Sequence, residues 1–140
     1  MWLVLAGLSI LLVVSAFSDL AHGVIYDWVT LPGIGLGLMA HGLTGGQAGV
    51  ERALLGLGVG AAVFGLFFLL GSLGGGDVKV MAAVGALGGY PFVLWAMLYT
   101  VAIGGVMGLA VLMKAGRQGT VPYGFAIASG TACAWVVQGL

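Results

Sequence analysis

Apolar residues in this chain come in long, nearly unbroken stretches, neither alternating nor confined to one stripe of a helix. Six stretches stand out, at about 2–18, 28–43, 53–72, 78–89, 91–113 and 120–138. A helix rises about 1.5 Å per residue, so a bilayer crossing needs about 20 apolar residues. The second and fourth stretches are short by that measure. The fourth is a partial crossing or merges with its neighbour near Gly88, Gly89 and Pro91. Lipid accepts only helices or closed barrels, and the period-two alternation of a barrel is missing. The pattern predicts an all-α, polytopic integral membrane protein of about six transmembrane helices, with a glycine-rich break before the fourth. Residues 1–140 are expected to form a single integral-membrane domain.

Composition agrees. Hydrophobic residues make up 61% and charged residues 6%, with a mean hydropathy of +1.22. A soluble domain carries roughly a quarter charged residues, so the lipid bilayer is this chain's expected solvent. The net charge of zero argues against a nucleic-acid partner. The first stretch lacks the basic start and small-residue cleavage site of a signal peptide, and is expected to be kept as a helix. Cys133 is expected to be a small packing residue, with no disulfide framework around it. Several of the 28 glycines fall four apart, as at Gly56 and Gly60, Gly85 and Gly89, or Gly104 and Gly108. That spacing lets membrane helices approach closely.

The eight charges lie at or near the ends of the apolar stretches: Asp19, Asp27, Glu51, Arg52, Asp77, Lys79, Lys114 and Arg117. Connections alternate sides, so the links after the first, third and fifth stretches share one face. That face holds Lys79, Lys114 and Arg117, and the positive-inside rule makes it cytoplasmic, with both termini outside. Asp19, Asp27 and Asp77 then converge on it.

An acidic group at the edge of hydrocarbon is rare and points to function. Asp27 also suits a helix start, where a carboxylate satisfies orphan amides. Asp77 suits one too, but a cap does not require Gly74, Gly75 and Gly76 in front of it. Asp19 ends a helix, where negative charge opposes the macrodipole. Two carboxylates brought close share one proton. The ionised one can take a proton from water while the protonated one polarises a peptide carbonyl. His22 stands three residues after Asp19; two ligands are thin for a metal, and a surface or substrate-contacting role is expected. His41 has no evident partner. Trp28, Tyr90 and Trp135 suit interfacial belts. No cofactor is called for.

The stretch GGGDVKVMAAVGA contains a G-x-G-D pattern and resembles the signature of type IV prepilin peptidases. Asp19-Leu20 followed by HGVIYDWVTLPGIGLGL resembles that family's first-aspartate region, and VPYGFAIASG resembles the segment opening its last helix. The likeness covers residues 12 to 135. It implies an aspartic endopeptidase of the cytoplasmic (inner) membrane that removes basic leaders from prepilins and pseudopilins, substrates with an N-terminal hydrophobic helix. The catalytic pair carries over as Asp19 and Asp77. Asp27 supports them, Lys79 is expected to fix an ionised carboxylate or meet lipid phosphate, and the three glycines keep the floor open to a substrate strand. Tyr26 stands where the family has proline. The chain is most similar to short members, such as those serving tight-adherence pili, and methylation of the product is not expected. Two other classes compete: a small proton-coupled transporter, and a non-catalytic subunit of a secretion machine. Against the transporter, the aspartates gather at one face rather than the midplane.

Overall fold

The computed structural model describes residues 2–119 and 121–138. Five α-helices follow one another: α1 (Trp2–His22), α2 (Asp27–Leu69), α3 (Gly75–Gly88), α4 (Phe92–Ala115) and α5 (Tyr123–Gln138), with a 3₁₀ turn at Gly116–Gln118. Three of them, α1, α2 and α4, are long and apolar enough to cross a membrane.

The second and third apolar stretches, expected as separate elements, run together in α2. Gly46 interrupts this helix with φ 58° and ψ −139°, torsions outside the helical region. A straight helix of 43 residues would be about 65 Å long, twice the hydrocarbon thickness. The chain reverses instead. A Cβ at Gly49 would strike the carbonyl of His41, and one at Gly42 would meet Val50. Both arms, 27–45 and 47–69, lie along α3: Gly37 touches the backbone of Ala86, and Gly56 that of Gly85. Glycine at Gly46 allows the positive φ at which the arms turn.

The centre of the bundle is α3. Every residue from Met81 to Leu87 is buried, so this stretch of the helix, beyond the charged Asp77 and Lys79 of its start, is apolar all round and has no wet face. Leu8, Leu11 and Leu12 of α1, Phe64 of α2, Val93 and Ala96 of α4 and Ile127 of α5 pack with it in one core. Outward-facing positions such as Ile10, Phe17, Leu66 and Leu109 are apolar and exposed, as lipid contact demands. Cys133 is exposed on α5 rather than packed inside. At 14 residues α3 spans about 21 Å, less than the hydrocarbon core. The link before it covers 70–74, so Gly75 and Gly76 belong to its first turn and only Gly74 of that triplet precedes it.

The two ends of the bundle are distinct. At one, the 23–26 link lies on the start of α3 and α5 starts beside Asp19. At the other, His41 Nε2 lies 2.9 Å from the Leu87 carbonyl, and the Tyr90 amide donates to Arg52.

Candidate active site

Asp19 sits in the last turn of α1. Gly23 ends that helix at φ 65°, and its amide donates to the Asp19 carbonyl at 2.9 Å. This left-handed glycine is a usual helix terminator. It turns the chain at once toward α3, where Ile25 packs on Gly76; a Cβ there would lie 3.1 Å from the Ile25 Cβ. Asp77 is the third residue of α3, in the same first turn as Gly76. The close approach of Ile25 to Gly76 therefore carries the two aspartates, 58 residues apart in sequence, to one end of the bundle.

Between them is a cavity of about 210 Å³, lined by Asp19, Asp77, the glycines 74–76 and the link residues Gly23, Val24 and Ile25. Liquid water occupies about 30 Å³ per molecule, so the space admits several waters or a strip of peptide backbone. Asp77 is buried, with 7% of its surface exposed. Burial pushes its carboxyl up to about 6; the Gly74 amide opposes that shift, and the nearby negative charge of Asp19 adds to it. Asp77 precedes the apolar stretch at 78–89 and lies outside the three span-length helices.

Each carboxylate is held by one oxygen. Asp77 Oδ2 accepts from the Gly74 amide at 3.2 Å, half of a capping box. Asp19 Oδ2 accepts from the Gly124 amide of α5 at 2.8 Å. Among the described residues neither Oδ1 takes a hydrogen bond, which leaves one oxygen per carboxylate for water or substrate.

The other expected site residues fall around this pair. Asp27 opens α2, but no side-chain cap bond forms there. Its Oδ1 instead takes Lys79 Nζ at 2.6 Å, with both side chains more than half exposed. Lys79 thus pairs with Asp27 and not with Asp77. Two residues apart on a helix, Asp77 and Lys79 point to different faces. His22 meets Tyr26 edge-on, ring centroids 6.5 Å apart. Among the described residues no three His, Cys, Asp or Glu side chains gather as for a metal. The three glycines differ. A Cβ at Gly74 or Gly75 would find only ordinary contacts, to Asp77 and Phe68, whereas at Gly76 it would crowd Ile25. The role of Gly124 has no local sign in the sequence, because its contact spans 105 residues. The only hint is the family-like segment in which it sits.

Residues 6–109 match the sequence model of the type IV leader peptidase family. The chain belongs to that family. Like it are the "Prepilin leader peptidase/N-methyltransferase" of Stutzerimonas stutzeri, 33% identical over 135 residues, and that of Pseudomonas aeruginosa, 32% identical over 135 residues. Each alignment covers 89% of this chain and 46% of the relative. The protein of the same name from Xanthomonas campestris is 33% identical over 125 residues, 84% of this chain and 43% of its own length. The chain thus spans about half the length of the type IV leader peptidases it matches. No solved structure matches it.

Proposed function

We propose that this chain is a membrane-embedded aspartic endopeptidase that cuts the basic leader from prepilins and pseudopilins at the cytoplasmic face of the inner membrane. Asp19 and Asp77 are its catalytic pair. The observation that carries this reading is the single cavity onto which both carboxylates open, each fixed through one oxygen and free at the other. Family membership supplies the reaction class. Of the two activities in the relatives' name, only leader cleavage is assigned to this chain.

The protein crosses the membrane six times in this reading: α1, both arms of α2, the short α3 from residue 78 on, α4 and α5. The substrate's hydrophobic helix lies in the bilayer against the bundle, and its leader reaches the cytoplasm. The extended strip between them enters the cavity over residues 74–76. The raised Asp77 carboxyl holds the shared proton, which makes Asp19 the base. Water attacks the scissile carbonyl carbon as Asp19 takes its proton, and Asp77 gives its proton to the carbonyl oxygen. Collapse of the tetrahedral diol breaks the C–N bond. The leaving nitrogen takes the proton held on Asp19, and a diol hydroxyl returns one to Asp77. The products are a leader carboxylic acid and a new amine, and both aspartates regain their starting states.

The test is cleavage of a candidate prepilin by the purified, detergent-solubilised chain. Asp19→Asn and Asp77→Asn are expected to lose cleavage while keeping the fold. Asp27→Asn is expected to retain a substantial part of it. Loss in the Asp27 variant with normal cleavage in the Asp19 variant would refute the assignment.

A further inference from the structure

The two aspartates are anchored by different means. Asp77 is held by its own helix cap three residues away, whereas Asp19 is held by a helix from the far end of the chain. We propose that Gly124 is a positioning residue for the peptidase reaction, its backbone N–H aiming the Asp19 carboxylate into the cavity. This rests on the reading of Asp19 as the base.

The amides that open α5 support it. A helix leaves its first amides without partners inside itself. Here Tyr123 donates to the Val121 carbonyl, and Phe125 and Ala126 donate to that of Pro122. The Gly124 amide donates to Asp19 Oδ2. That one carboxylate oxygen thus satisfies the amide the local turn leaves over.

Steric fit points the same way. A Cβ at Gly124 would lie 2.6 Å from the Asp19 Cβ and 2.9 Å from its Cγ. Only glycine lets α5 come this near, and any side chain would push the carboxylate away. The preceding residue fixes the helix start: Tyr123 packs on Gly104 of α4, where a Cβ would lie 3.2 Å from its ring. The positive end of the α5 dipole also offsets the unfavourable charge that Asp19 places at the end of α1. The alignment of the base thus depends on the docking of α5, and that of Asp77 does not.

The test deletes the donor without adding bulk. The full chain is assembled with an ester in place of the peptide bond between Tyr123 and Gly124, and cleavage of prepilin is measured in detergent. The expected result is a fall in kcat of about tenfold or more, from the misplaced base, with KM changed by less than about twofold. The chain has three aspartates, so carbon-13 labelling of aspartate alone gives three side-chain carboxyl signals, assignable by Asp→Asn variants. The ester is expected to move the Asp19 signal and leave that of Asp77 in place, with the thermal midpoint nearly unchanged. A loss of folding alone would not move one carboxyl signal selectively. Gly124→Ala is the second variant, and it too is expected to lose kcat with the fold kept. Wild-type kcat and an unmoved Asp19 signal in the ester protein, or wild-type kcat in Gly124→Ala, would overturn the proposal. An active wild type with an inactive Asp19→Asn and an unaffected ester breaks this inference alone. Normal cleavage by Asp19→Asn breaks the base assignment, and the inference falls with it.

Discussion

Asp77 sets the terms at the residue scale. Its carboxyl, ordinarily near 3.8, is pushed up to about 6, chiefly by burial. The folded protein therefore holds this proton more tightly than the unfolded chain does. The resulting stabilisation is complete below about pH 3.8 and is lost as the pH rises through about 6. A shift of this size corresponds to roughly 3 kcal/mol. The thermal midpoint in detergent is expected to fall between pH 4 and pH 7, and Asp77→Asn, neutral and of the same shape, is expected to flatten that fall. An equal fall in both proteins would show that another group is responsible. The glycines before it divide in the same way. Gly75→Ala adds a methyl at ordinary distance from Phe68, while Gly76→Ala drives one against Ile25. The first is expected to cut prepilin at close to the wild-type rate. The second, by shifting the 23–26 link that follows the helix of Asp19, is expected to lose about tenfold or more in kcat.

At the scale of elements, the tightest seam joins α2 and α3. Gly56 and Gly85 meet backbone to backbone, and Gly60 lies against the Met81 carbonyl. Such approach replaces the hydrophobic effect that lipid withholds. Gly58, two residues along the same arm, has open space within 4 Å of the point where a methyl would stand. Gly56→Ala and Gly85→Ala are each expected to lower the thermal midpoint clearly. Gly58→Ala is expected to hold it or raise it, by about 0.5–1 kcal/mol of helix propensity. Equal effects at the three positions would mean that the seam does not govern stability. The spacing of glycines in the sequence points to this kind of packing, but not to which pairs meet. The apolar stretches place most helices within a few residues. They start the second arm of α2 too late, at 53, because the charges of Glu51 and Arg52 mark the edge of an apolar stretch. These residues lie in helix at the end of the bundle, where polar side chains meet water without interrupting the backbone ladder. Likewise, the aspartates and glycine triplet are visible as a motif. The partnerships of Asp27 with Lys79 and of Asp19 with Gly124 are not, since they close across 52 and 105 residues with no local periodicity to announce them.

The whole molecule is polarised by where its charges gather. Asp19, Asp27, Asp77 and Lys79 share one end of the bundle, and Lys114 closes α4 just before the link that leads to Gly124. Glu51 and Arg52 belong to the other end, beside Tyr90. Basic residues near short links are retained in the cytoplasm, so the cavity end should face inward. Orientation matters to mechanism because a leader that stays in the cytoplasm can be cut only there. Two exposed glutamines mark the ends: Gln47 beside the Gly46 reversal and Gln118 between α4 and α5. With Cys133 first replaced by alanine, no native thiol remains. A membrane-impermeant maleimide added to spheroplasts is then expected to label Gln47→Cys. Gln118→Cys should stay unlabelled until the membrane is opened. The reverse result would put both aspartates on the outer face, out of reach of a cytoplasmic leader, and the peptidase reading could not stand with the substrate assigned to it. Labelling of both from outside would mean that the arms of α2 do not carry Gln47 to the far side, and the count of six crossings would fail while the carboxylate pair survived.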